Sequence, residues 1–190
     1  EYYHADGFRF DLMGLHDVET MQAIERALHA VDPSTLLYGE GWVGGGTLLA
    51  GEKQCNKWNA GGITASEDAA GAVAVFSDTM RDCVKGSVFD GGAGGYANGR
   101  AYENVNAVKF SSMGATSPNF NMHWVTDSAA RVINYVSAHD NNTLWDKISM
   151  TSGYAPLEER LRINRLCAGI VFTSRGIPFF QSGEELLRSK

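Results

Sequence analysis

Three carboxylates close short, largely apolar runs in this chain: Asp11 ends GFRFD, Glu40 ends LLYGE and Asp140 ends YVSAHD. Carboxylates gathered in one place suit a displacement in which one group attacks, one moves a proton and a third steadies developing charge. Arg9 stands two positions before Asp11, and Phe8 and Phe10 alternate with this charged pair in the period-2 pattern of a strand with two different faces. An ion pair in a core costs desolvation energy. Arg9 and Asp11 therefore admit two readings, a staple tying a strand end to a loop or a charged pair kept for chemistry. His139 precedes Asp140 and Asn141 follows it.

The elements that must carry these residues alternate. After a strand over Gly7–Asp11, Asp17 is placed to cap a helix whose stripe is Val18, Met21, Ala23, Ile24, Leu28 and Val31, stopped by Asp32-Pro33. Leu36–Tyr38 reads as a second strand. The Gly-, Asn- and Ser-rich stretch 44–71 reads as a long excursion. Ala72–Phe76 is a third strand and Thr79–Val84 a short helix; 86–118 reads as irregular, and Ser128 opens a short helical turn. Val132–Val136 is a fourth strand. Leu157–Ser174 is a helix burying Leu157, Leu161, Cys167 or Ala168, and Val171, with Gly176 as its stop, and Ile177–Phe180 is a fifth strand. Alternation of this kind implies a parallel α/β sheet with polar residues at the strands' carboxyl ends, the rim where a (β/α)8 barrel assembles its site. Asp11 and Glu40 are 29 positions apart, close to one barrel unit of about 31 residues. A doubly wound open sheet is the competing architecture.

Other chemistries are poorly supported. Net charge is −6 with Lys and Arg scattered, which argues against nucleic acid. No apolar run is long enough to span a bilayer. Cys55, Cys83 and Cys167 form neither a disulfide framework nor a zinc site and read as buried thiols, while His4, His16, His29 and His123 lack metal-ligand spacing. Gly92-x-Gly94-x-x-Ala97 follows no convincing strand, so Gly91–Gly99 reads as a mobile loop rather than a dinucleotide cradle. Glu184 and Glu185 lie past the last strand and read as structural.

DGFRFDLMG, LLYGEGW and YVSAHDNNTLWDK resemble the second, third and fourth signature regions of the α-amylase family of glycoside hydrolases (family 13). YGEGW and DLMG are the more specific marks and are similar to the family's debranching branch, the type I pullulanases; GIPFFQSGEELLRSK is similar to their last barrel strand. The resemblance implies that residues 1–190 are a partial catalytic domain, the C-terminal part (about strands 4–8) of a (β/α)8 TIM barrel. The family's first signature region and first strands, of the same chain, are then expected upstream of residue 1.

It also implies a retaining hydrolase of α-1,6-glucosidic bonds in pullulan or branched starch. Asp11 would be the nucleophile, Glu40 the general acid and base, and Asp140 the third carboxylate, with Arg9 and His139 binding substrate beside them. Trp42 is placed to stack on a sugar or to pack a loop, and Asn141 to orient the site or to form a turn. Arg9 is expected to hold Asp11 ionised, and carboxylates around Glu40 to favour its acid form. The partner implied is an α-glucan polysaccharide or oligosaccharide, with no cofactor and no catalytic metal; structural calcium and location (secreted, cell-surface or cytoplasmic) stay open. The alternatives are an isoamylase-like or α-amylase-like relative, or an inactive carbohydrate-binding fragment.

Overall fold

The computed structural model describes residues 3–63, 73–120, 122 and 124–190. It divides into two compact units, Glu1–Phe76 with Thr126–Ile133, and Ser77–Val125 with Asn134–Lys190.

In the first unit, β1 (Gly7–Phe10) and β2 (Leu36–Gly39) run parallel with Gly7 opposite Leu36 and Phe10 opposite Gly39. That register puts the next residues of both strands, Asp11 and Glu40, at the same carboxyl end. Helix α1 (Val18–His29) returns the chain between them; the Asp17 side chain caps it by accepting the Thr20 N–H at 2.6 Å. Its buried positions are Met21 and Glu25, whereas Ala23 is exposed and Val31 is 80% exposed. The expected stripe is therefore too wide. The helix ends at His29, so Val31 lies in the turn beyond it, and the buried Glu25 is matched by His29 Nδ1 at 2.8 Å. His29 Nε2 lies 2.9 Å from the Thr35 carbonyl.

Strand β3 (Ala74–Phe76) pairs with β2 through Tyr38–Ala74 and Gly39–Val75, and β4 (Val132–Asn134) with β3 through Val75–Val132 and Phe76–Ile133, both parallel. All six residues of β3 and β4 are buried, as in a strand covered on both faces. Ser128 caps the Ala129–Arg131 turn that leads into β4.

In the second unit, α2 (Asp78–Lys85), capped by the Ser77 hydroxyl, joins α4 (Leu144–Ser152) and α5 (Leu157–Thr173) around one core of Met80, Cys83, Val84, Val136, Leu144, Ile148, Ile163, Cys167 and Val171. The buried side of α5 is Ile163, Asn164, Cys167 and Val171; Leu157 is 55% exposed and Leu161 half-buried, so the face is rotated from the expected one and takes in polar Asn164. Strand β5 (Ile177–Pro178) follows, and the Phe179 N–H donates to the Asn134 carbonyl at 2.8 Å.

Strand order is β1-β2-β3-β4-β5. Order that follows the chain without reversal has no switch point, which sets aside the doubly wound alternative. The first, fourth and fifth strands end one or two residues earlier than expected. Residue Ala72 of the expected third strand, residues 64–71 of the excursion and His123 lie outside the described residues.

Two corrections fall in the stretches read as irregular. Residues 101–112 form α3 (Ala101–Ser112), whose Arg100 N-cap offers no side-chain hydrogen bond. Outside those stretches, α4 has no counterpart among the expected elements; Thr143 caps it, its hydroxyl accepting the Asp146 N–H at 3.1 Å. The glycine-rich loop is pinned rather than loose. Lys147 Nζ donates to the carbonyls of Ser87 (2.8 Å), Asp90 and Gly91, and Asn98 donates to the Lys85 carbonyl at 2.9 Å while accepting the Gly95 N–H at 2.6 Å. Gly86 has φ +95° and any Cβ there would collide with the Ala93 carbonyl, so glycine serves close backbone approach. The three cysteines are buried free thiols, and burial pushes each up to about 12.

Candidate active site

The carboxyl ends of β1 and β2 bring Arg9, Asp11 and Glu40 together. One guanidinium nitrogen of Arg9 donates to Asp11 Oδ1 at 2.8 Å and another to Glu40 Oε1 at 2.9 Å. The same guanidinium lies over the Phe76 ring, 5.4 Å from its centre, and Phe76 in turn packs on Tyr38. A planar fork spanning two carboxylates and resting on an aromatic face is a geometry that suits arginine and that lysine cannot supply. An oxygen of Asp11 and one of Glu40 lie within 4.8 Å of each other. Their surroundings differ sharply: the Asp11 side chain is 60% exposed and that of Glu40 is 6% exposed.

The backbone completes the setting of Glu40. Its N–H donates to the Phe10 carbonyl at 3.0 Å, extending the β1–β2 ladder, and its Oε2 accepts the Leu12 N–H at 2.9 Å. Leu12 presents that N–H from a left-handed conformation, φ 44° and ψ 48°. A leucine there is strained by about 1–2 kcal/mol, so the bend directly after Asp11 persists because its surroundings hold it. The Gly14 N–H reaches the Trp42 carbonyl at 3.2 Å, and a Cβ on Gly14 would come within 2.7 Å of that carbonyl, so DLMG and GEGW fit only with glycine at this place. Residues 53–57 of the excursion dock on GEGW and on the turn after DLMG: the Cys55 N–H donates to the His16 carbonyl at 2.9 Å and the Lys57 N–H to the Gly41 carbonyl at 3.0 Å. Trp42 itself is half-buried.

In the second unit, His139, Asp140 and Asn141 sit on the loop after β4. His139 Nε2 lies 3.5 Å from Asp140 Oδ1, and both side chains are largely exposed. Asn141 is left-handed (φ 58°), a turn conformation. The Lys190 ammonium donates to the carbonyls of His139 and Asn141. His4 and His16 are exposed, and Glu184 is buried in a turn after β5.

No family model matches the chain. The chain is 33% identical over 195 residues to a pullulanase of Bacillus subtilis, covering 100% of this chain and 25% of that protein. It is 35% identical over 199 residues to pullulanase A of Streptococcus pneumoniae, covering 99% of this chain and 14% of that one. The crystal structure of a pullulanase from Paenibacillus barengoltzii in complex with maltohexaose and α-cyclodextrin superposes with a TM-score of 0.88 at 40% identity, covering 99% of this chain and 28% of that one. The segment groups with the pullulanases. Its parallel α/β sheet matches part of the pullulanase fold, and the chain spans between 14% and 28% of the length of these relatives.

Two contributors to the site around Arg9 escaped sequence reasoning. Phe76 was legible only as a buried strand residue, since nothing local marks it as the ring beneath Arg9. The Leu12 N–H is a backbone donor set by a left-handed leucine; its one signal is the glycine two residues on, which lets the chain turn so tightly.

Proposed function

We propose that the protein carrying this segment is a retaining glycoside hydrolase that debranches α-glucans, cutting α-1,6 bonds of pullulan or branched starch. The reading places residues 1–190 within one catalytic (β/α)8 barrel domain, with β1–β5 as its fourth to eighth strands. Retention calls for two carboxyl groups about 5–5.5 Å apart, and Asp11 and Glu40, bridged by one guanidinium with oxygens within 4.8 Å, are the observation that carries it. Support for the substrate class comes from relatives named pullulanases and from the maltohexaose and α-cyclodextrin held by one solved neighbour.

The chemistry then follows from the two environments. Asp11, the exposed carboxylate, attacks the anomeric carbon as the bond to the glycosidic oxygen breaks, and Glu40 gives that oxygen its proton. Water then attacks the same carbon, returns a proton to Glu40 and frees Asp11. Arg9 fixes Asp11 through Oδ1 and Glu40 through Oε1, so both act from set positions. Asp140 is the third carboxylate, holding sugar hydroxyls as the ring distorts, with His139 and Asn141 binding beside it; Trp42 stacks on the sugar that receives the proton. Product analysis tests the linkage: the full-length protein is expected to release maltotriose from pullulan and leave linear amylose nearly untouched. Equal rates on both would overturn the debranching assignment.

A further inference from the structure

The second unit buries a lysine for which core packing gives no reason. Lys85, the last residue of α2, is 2% exposed, and its ammonium donates to the Asn142 carbonyl at 3.2 Å. Burying an ammonium carries a desolvation penalty that an apolar side chain of similar volume would avoid. Lys147, equally buried, offsets its own by gathering three carbonyls of the 87–91 loop. Lys85 reaches instead to the segment that carries Asp140. Carbonyls of three of its residues, His139, Asn141 and Asn142, accept from ammonium groups, the first two from Lys190 and the third from Lys85. The next residue, Thr143, caps α4, and Ser137, which opens the loop, accepts the Leu144 N–H and donates to Gln181. Between these fixed ends, the left-handed turn at Asn141 is held on the outside by Lys190 and from beneath by Lys85.

We propose that Lys85 is a positioning residue for the reaction: by fixing the Asn142 carbonyl, it sets the loop that aims Asp140 and His139 at the substrate. The inference rests on the role proposed for Asp140. Lys85 touches no substrate in this account and acts only through the loop. The charged and titratable groups around its ammonium are Arg81 and Asp82 on α2, Lys147 on α4, Cys167 on α5 and Glu184 in the turn after β5. Burial outweighs the acids among them and lowers Lys85 to about 8.

The test is a double-mutant cycle in the full-length protein between Lys85→Met and Asp140→Asn, followed with an activated aryl α-glucoside so that slow variants stay measurable. Lys85→Met is expected to lower kcat by about tenfold with a smaller change in KM, and by no more than about twofold once Asp140→Asn is present. An equal loss in both backgrounds would overturn the proposal, because Lys85 would then act independently of Asp140. If Asp140→Asn alone leaves kcat at the wild-type value, the failure belongs to the reading of Asp140. Lys85→Leu, which also removes the donor, carries the same cycle should Lys85→Met not fold. The pH profile gives a readout that simple packing would not move. Wild-type kcat is expected to fall as pH rises through about 8, where Lys85 gives up its proton, and Lys85→Gln to flatten that limb; an unchanged limb would count against the proposal.

Discussion

Arg9 and Glu40 stand 31 positions apart in the chain and meet at 2.9 Å where β1 and β2 end. The contact exists because parallel register sets Phe10 opposite Gly39, so the residues flanking that pair converge on the same rim. It also answers why a strand should alternate arginine with aromatics. Arg9 couples an exposed carboxylate to a buried one, and the aromatic beneath it comes from β3.

Replacing Arg9 by lysine keeps the charge and removes the fork. Hydrogen bonds to charged groups contribute about 1.5–3 kcal/mol each, and 1.36 kcal/mol is about tenfold in rate. Arg9→Lys in the full-length protein is therefore expected to lower kcat/KM on pullulan by about ten- to a hundredfold. Steady-state kinetics alongside a thermal melt checks this, since a matching collapse of stability would assign Arg9 the role of a staple.

Glu184 makes stability depend on pH. It is 5% exposed, neither of its oxygens meets a hydrogen-bond donor among the described residues, and burial raises it to about 7. A carboxyl raised in the folded state keeps its proton there while the unfolded chain has already lost it, so between pH 4.5 and 7 the folded state binds more protons and stability falls as pH rises. Local unfolding of the second unit, followed by hydrogen exchange at pH 5 and pH 8, is expected to be easier at the higher pH. Glu184→Gln should remove the difference, and a variant that keeps it would contradict the account.

Thr143 caps α4 directly after the loop bearing Asp140 and also donates to Asp146 Oδ2 at 2.9 Å. Loss of a cap costs about 1 kcal/mol. Thr143→Ala should speed exchange of the α4 amides by about fivefold, with Thr143→Ser close to wild type. Residue-resolved exchange measures it.

In the proposed reaction Trp42 stacks on the sugar that receives the proton. Stacking contributes on the order of 1 kcal/mol beyond buried area, and the area a ring buries adds about as much again, so Trp42→Ala should lower kcat/KM on pullulan by roughly ten- to a hundredfold. The variant should still form its glycosyl-enzyme on Asp11. A change in kcat/KM below twofold would make Trp42 a loop-packing residue.

What the sequence reveals here tracks how local each cause is. Asp17 and Ser128 announce their caps by type, and Asp11 and Glu40 stand out because a carboxylate ends an apolar run. Helix α3 was silent: Arg100 cannot cap it through its side chain, and only Phe110 and Ser111 are buried along it. Helix α4 does carry a local signal, the Thr143 cap with Asp146 three residues on. Lys85 and Lys147 are invisible in sequence for a general reason, since lysine is seldom buried and their carbonyl partners lie 56 to 60 positions away. The Phe76 ring beneath Arg9 is likewise a product of strand order rather than of any nearby residue.

The central claim is that Asp11 is the nucleophile and Glu40 the acid and base beside it. The direct measurement is peptide mass spectrometry of the full-length protein after trapping with a fluorinated α-glucosyl donor, in the wild type and in Glu40→Gln. The account predicts a covalent glycosyl group on Asp11 in both, formed with an activated leaving group and turned over far more slowly in Glu40→Gln, and none in Asp11→Ala. A label on Glu40, Asp140 or any residue other than Asp11 would contradict it.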